Sequence, residues 1–286
     1  MFQLFNYTTL STRLEKSTRS LYITLNRPDR GNALHQEMLF ELESLLAWCT
    51  SRVEINSIYI DSCTNYFSPG VEAAALPHMN APQIEKLSTR LHKIIFSMMQ
   101  MPQTVLIDLG DGAANWAMEL ALGADIRICS VTAELKFDHA RLGLVPAAGG
   151  MSFLSHLVPA SFARPWLATG LAISNEQREA SGLIHRTYDS TERSDVVHTL
   201  LAAVAAQAPV QRIQTKLGLF EAHRQQIETA LVADLKIAKA SRISEDWKTR
   251  TLEQAETETF MPAKSLSYSV KLSLIKSQPA PTETEH

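Results

Sequence analysis

The 286-residue sequence contains no run of about 18 apolar residues, the length that would span a bilayer, so a membrane-crossing helix is not expected. Its first residues, MFQLFNYTTLSTRLEK, lack a basic start followed by a long apolar stretch, and a secretory leader is not expected either. Cysteine is scarce. Cys49, Cys63 and Cys129 are odd in number, far apart and without a CxxC pair, which argues against a disulfide framework and for reduced, partly buried thiols in a cytoplasmic protein. An excess of positive charge is missing too: Lys+Arg 27 against Asp+Glu 30 gives a net charge of -3, so no broad field attracts nucleic acid or anionic lipid. The histidines show no HxxxH or HxH spacing, and no metal site is expected. Internal repeats are absent, and the only biased segment is SQPAPTETEH at residues 277–286, which reads as a disordered tail.

What is present is a folding composition, 45% hydrophobic and 20% charged, enough for one large core or a core with a smaller appendage. SLYITLNRP alternates Leu21, Ile23 and Leu25 before a proline, the pattern of a strand ending in a turn. HQEMLFELESLLAWCTS spaces Met38, Leu42, Leu45, Leu46 and Cys49 as a helix does. Pro82 opens a second helix, striped by Ile84, Leu87, Leu91, Ile94, Ile95 and Met98 and stopped by Pro102. Strands are predicted at SIYID, DIRICS and ELKF, a strand and a turn at TVLIDLGDG, and a short helix at AMELALGA. From Ser161 onward helices take over. The expected organisation is an α/β body over residues 1–190, a helical C-terminal region over 191–276 and the tail.

One carboxylate stands out. Glu119, in ANWAMELALGADIRI, sits among Trp116, Met118, Leu120 and Leu122. The strand, turn and helix pattern around it places Glu119 in the first turns of a helix, with Asn115 as a candidate N-cap and free N–H groups able to donate to a developing negative charge. Two readings stand open from the residues alone: an ion pair with Arg127 or Arg141, or a carboxylate held at a cleft for chemistry.

Five stretches in order resemble the crotonase (enoyl-CoA hydratase/isomerase) family: LNRPDRGNAL at 25–34, FSPGVEAAAL at 67–76, AMELALGADIRI at 117–128, LGLVPAAGG at 142–150 and TGLAISNEQREASGLIHRTYD at 169–189. The resemblance covers about residues 18–260. It implies a spiral of ββα units with a helical C-terminal region that mediates a trimer or a dimer of trimers. It also implies an acyl-CoA thioester as substrate, with no metal or redox cofactor.

The same resemblance assigns residues. Two backbone N–H groups, of Val71 just after Gly70 and of Trp116, would form an oxyanion hole for the thioester carbonyl. Glu119 aligns with the first of the family's two hydratase carboxylates. Arg30, Ala33 and Gly70 fall on segments that border the CoA substrate, although Arg30 also suits a solvated surface. Glu72, where the family usually has aspartate, reads as structural, and Asp125 with Arg127 as an ion pair at a strand edge.

The sequence departs from the family pattern twice. NWA at 115–117 stands where three glycines let the chain approach the ligand closely, and Trp116 suits either a pocket wall or a core or subunit contact. His139 stands where the second glutamate is expected. An imidazole can move protons near neutral pH, so Glu119 with His139 can form an acid and base pair; a satisfied polar histidine is the alternative. Enoyl-CoA hydration or isomerisation is therefore the expected activity. The alternatives are a repurposed, non-catalytic chain that binds acyl-CoA, or an acyl-CoA decarboxylase or hydrolase.

Overall fold

The computed structural model describes residues 6–258. In chain order its elements begin with β1 (Leu10–Glu15), β2 (Ser20–Leu25), α1 (Gln36–Thr50), β3 (Ser57–Ser62), α2 (Ala81–Gln100) and β4 (Thr104–Asp108). Next come β5 (Gly112–Ala114), α3 (Asn115–Leu122), β6 (Ile126–Ser130) and β7 (Glu134–Lys136). The helices α4 (Leu154–Leu157), α5 (Ala160–Thr169) and α6 (Asn175–Ser181) lead to β8 (Arg186–Tyr188). The chain then runs through α7 (Arg193–Ala205), α8 (Pro209–Glu221), α9 (Arg224–Ser241) and α10 (Asp246–Glu258).

A six-stranded sheet has the order β1-β2-β3-β4-β6-β8, antiparallel only between β1 and β2, and β5 and β7 form a small parallel sheet of their own. Parallel strands need crossovers, and helices supply them, burying the strands from the sides. Leu21, Ile23 and Leu25 of β2 are fully buried, as are Ile58 and Ile60 of β3. The predicted stripe on α2 is buried along its whole length, and Asn80 and Gln83 close a capping box at its start.

From Arg193 the described chain is helical, and this part packs back on its own body. Helices α8 and α9 lie on α2, and α10 covers a 3-10 turn at Ala73–His78. A buried polar cluster ties α7 to the sheet: the Arg193 Nε group donates to Asp108 at 2.7 Å and the Tyr59 hydroxyl donates to it at 2.8 Å. The expected tail at 277–286 and the last part of the expected helical region lie outside the described residues. Among the described residues no helix is long and apolar enough to cross a membrane.

One local expectation is corrected here. Asp125 and Arg127 do not pair with each other. Asp125 accepts from Lys216 Nζ at 2.6 Å, whereas Arg127 donates to the carbonyls of Leu183 at 2.8 Å and Ala124 at 2.6 Å. Arg127 lies beneath the end of α3, where it also donates to the Ala121 carbonyl at 3.3 Å, so that one buried guanidinium satisfies carbonyls of separate segments at once.

Candidate active site

Three segments build the site: the turn that carries Gly70 and Val71 meets Asn115 at the start of α3, and the loop from His139 to Gly150 closes on Glu119 one turn further along that helix. Short backbone bridges pin the first segment, with Leu34 N–H donating to the Gly70 carbonyl at 2.6 Å and Ala114 N–H to the Ser68 carbonyl at 3.2 Å. Gly70 has φ +86, and a Cβ there would stand 1.8 Å from Asn115 Oδ1 and 2.5 Å from the Ala114 carbonyl oxygen. Only glycine fits that close approach.

Asn115 is not the N-cap of α3. That position belongs to Ala114, and Asn115 follows as the first helical residue with φ +35. Asparagine is among the few residues that tolerate positive φ. Its side chain turns across the start of the helix: Oδ1 accepts from the Val71 N–H at 2.8 Å and from the Trp116 N–H at 2.7 Å. Its Nδ2 donates to the Pro69 carbonyl at 2.9 Å and to Asp138 Oδ1 at 3.2 Å. The two N–H groups expected to hold an oxyanion thus converge on a single oxygen, and that oxygen belongs to the chain itself.

One turn further along α3, Glu119 is fully buried. Its Oε1 accepts from the N–H groups of Ala148 at 2.7 Å and Gly150 at 2.9 Å, and its Oε2 receives the Ala147 N–H at 3.4 Å. His139 Nε2 lies 3.0 Å from Oε2, with the imidazole buried as well. Of the open readings for Glu119, the ion pair with Arg127 or Arg141 is therefore not the one formed. The glycine loop explains the fit, because a Cβ on Gly150 would come within 3.0 Å of Glu119 Oε1. His139 Nδ1, by contrast, is buried without a hydrogen-bond partner.

The remaining expected residues are spread wider. Trp116 is buried and lines a small cavity of about 10 Å³ together with Ile84, Leu144, Ala238 and Arg242. That volume holds about one water molecule. Arg30 is exposed, 3.9 Å from Asp29, while Ala33 is buried and its carbonyl accepts from Arg27 Nη1 at 3.3 Å. Glu72 forms an ion pair with Arg27 at 2.7 Å, as its structural reading implied.

Sequence reasoning missed a third buried ionisable group beside Glu119. Asp234 of α9 is buried, and its Oδ2 accepts from the N–H of Ser152 at 3.2 Å and from the Ser152 hydroxyl at 2.9 Å. Burial pushes its carboxyl up to about 6, the Ser152 bonds oppose that shift, and the charge of Glu119 adds to it. A signal was present in the sequence. Asp234 continues the apolar row Ile227, Leu231 and Ala238, at positions where a helix turned toward the core carries no charge without a reason.

The arrangement offers two chemical resources: a pair of backbone donors aimed at one oxygen position, and a buried carboxylate joined to an imidazole. A family model described as "Enoyl-CoA hydratase/isomerase" matches residues 15–261. The sequence is similar to the "Short-chain-enoyl-CoA hydratase" of Clostridium acetobutylicum, 24% identical over 251 residues, which are 86% of this chain and 96% of that one. It is also similar to the "2,3-dehydroadipyl-CoA hydratase" of Escherichia coli, 26% identical over 223 residues, 78% of this chain and 85% of that one. The fold is shared with the crystal structure of an enoyl-CoA hydratase from Bacillus halodurans, with a TM-score of 0.80 at 20% identity over 86% of this chain and 100% of that chain.

Proposed function

The chain belongs to the enoyl-CoA hydratase/isomerase family, and from that premise we propose that it binds an acyl-CoA thioester and hydrates or isomerises a 2- or 3-enoyl-CoA. The observation that carries the reading is the convergence of the Val71 and Trp116 N–H groups on one oxygen position at the start of the helix that carries the buried Glu119, the partner of His139. Donors fixed by the backbone cost no reorganisation when a carbonyl oxygen gains charge in an enolate-like transition state.

In this reading the thioester oxygen takes the place that Asn115 Oδ1 occupies, and Arg30, Ala33 and Gly70 border the CoA. For hydration, a water at Glu119 adds its oxygen to C3 of the enoyl chain and gives up a proton to the Glu119 and His139 pair. A proton is then returned to C2, where the enolate charge resolves. For isomerisation, the pair takes a proton from one carbon and returns it two carbons away. Glu119 already receives four donors, so a reacting water has to replace one, and the Ala147 N–H at 3.4 Å is the weakest held. The chemistry draws on no cofactor other than the CoA of the substrate.

Turnover of a panel of 2-enoyl- and 3-enoyl-CoA thioesters, with Glu119→Gln alongside, tests the reading. Activity should fall at least about 100-fold in the variant, as expected for loss of acid and base catalysis. Full activity in a folded Glu119→Gln protein would refute the assignment. A second reading, a repurposed paralogue without turnover, draws on Asn115 filling the oxyanion position and on the small free volume beside Trp116. Acyl-CoA binding with no turnover of any panel member would favour it, and His139→Glu would then test whether a restored second carboxylate creates hydratase activity. Assembly into a trimer or hexamer belongs to the first reading, supported by the exposed Leu219, Val232 and Ile237 on α8 and α9, and light scattering measures it. A cytoplasmic location belongs to it as well.

A further inference from the structure

We propose that the Asn115 side chain is a built-in occupant of the oxyanion hole, a gate that an incoming thioester carbonyl must displace before it can be activated. The inference rests on the thioester reading above and adds to it a residue that controls access.

An amide carbonyl and a thioester carbonyl present the same group to a pair of N–H donors: a planar sp² oxygen with partial negative charge. Asn115 Oδ1 meets both donors at ordinary hydrogen-bond lengths, 2.8 Å to Val71 and 2.7 Å to Trp116. The orientation of the amide is set by its other end, because Nδ2 faces two acceptors, the Pro69 carbonyl and Asp138 Oδ1. A flipped amide would put N–H against N–H at one end and oxygen against oxygen at the other. The side chain is buried, and its backbone at φ +35 lies where most residues are strained. Gly70 leaves the space that Oδ1 fills, since any Cβ there would overlap it.

Displacement has a defined cost. A bound thioester oxygen restores the two bonds lost by Val71 and Trp116, but the Nδ2 bonds to Pro69 and Asp138 are broken with nothing from the ligand to replace them. Free CoA has no acyl carbonyl and does not need the gate to open. The gate therefore lowers the preference of the protein for a thioester over free CoA, and removing the amide should raise it. A residue that merely supports the start of α3 would change stability and leave that preference alone.

Calorimetric titration of butyryl-CoA and of CoA into wild type, Asn115→Gly and Asn115→Ala measures the preference directly. The ratio of the two affinities should rise about tenfold in the variants, the scale of one or two net hydrogen bonds. An unchanged ratio in a variant that binds butyryl-CoA overturns the gate and leaves the thioester reading intact. Failure of wild type and variants alike to bind butyryl-CoA overturns both. Wild type also answers without any substitution: the Asn115 side-chain NH₂ resonances should shift with butyryl-CoA and not with CoA. Resonances that stay in place while butyryl-CoA binds sink the proposal even if neither variant folds.

Discussion

His139 Nε2 stands 3.0 Å from Glu119 Oε2, with both side chains buried and the other ring nitrogen without a partner. A neutral imidazole that donates through Nε2 leaves Nδ1 as a bare acceptor, and a protonated one leaves a buried N–H unbonded. Either way the pair is incomplete at one atom, which the acid and base role proposed for it would use.

The two ends of this pair should respond differently to substitution. Glu119→Gln puts an NH₂ group where both carboxylate oxygens now accept, so at least one N–H donor of the loop at 147–150 meets another donor. A loss of about 1–3 kcal/mol in urea unfolding is expected. His139→Gln keeps a donor within reach of Oε2 and should cost less than about 1 kcal/mol. Equal losses for the two would mean that the amides of the loop do not depend on the carboxylate.

Asp234 makes stability depend on pH in a direction opposite to that of most carboxylates. Its folded pKa of about 6 lies above the ordinary value of 3.8. Between about 4 and 6 the folded chain therefore holds a proton that the unfolded chain has released, and stability from this group falls as pH rises through that window. Asp234→Asn, which keeps an oxygen for Ser152, should remove the penalty. Thermal melts should show the variant about 1–3 kcal/mol more stable than wild type at pH 7.5, with little difference at pH 4. A gain of equal size at both pH values would trace the effect to packing.

Gly70→Ala tests the close approach beneath the proposed oxyanion hole. The added methyl would stand 1.8 Å from Asn115 Oδ1 and 2.5 Å from a backbone oxygen, at a φ of +86 that alanine avoids. Destabilisation of at least about 3 kcal/mol is expected, visible as a lowered unfolding midpoint or as loss of soluble protein. In the Asn115→Gly background the first clash is gone and the cost should shrink. Strictly additive losses would show that the two residues do not share this space.

The thiols should separate by rate. Burial pushes Cys49 up to about 12 and Cys129 up to about 11, whereas Cys63 is only partly buried and its rise is opposed by the Asn32 side chain. Native protein at pH 8 should therefore consume one equivalent of maleimide quickly, at Cys63, and the other two only on unfolding. Mass mapping that found Cys49 or Cys129 labelled first would contradict the packing described.

Much of the architecture was legible because it follows from local periodicity. The alternation in SLYITL and the stripe from Ile84 to Met98 need no knowledge of the rest of the chain, since a strand or a helix turns its apolar side inward wherever the core lies. β1 was not legible. Its burial pattern mixes one buried residue with partly and fully exposed ones, as suits an edge strand, and only pairing with β2 defines it. The three-residue strand β5 is too short to show any period and exists because β7, the strand expected at ELKF, supplies its hydrogen bonds.

The candidate site divides along the same line. The sequence by itself determined the family, the position of Glu119 on its helix and the loop of Ala148 and Gly150, because motif spacing and glycine placement are properties of the chain. The tertiary structure alone decided the partners. Asn115, expected to cap its own helix, turned to a backbone N–H 44 residues away, Asp125 found Lys216 rather than Arg127, and Asp234 came in from α9 to lie near Glu119. Polar groups bond to whatever donor or acceptor stands within about 3 Å, and that proximity is created only when distant segments close on a common core.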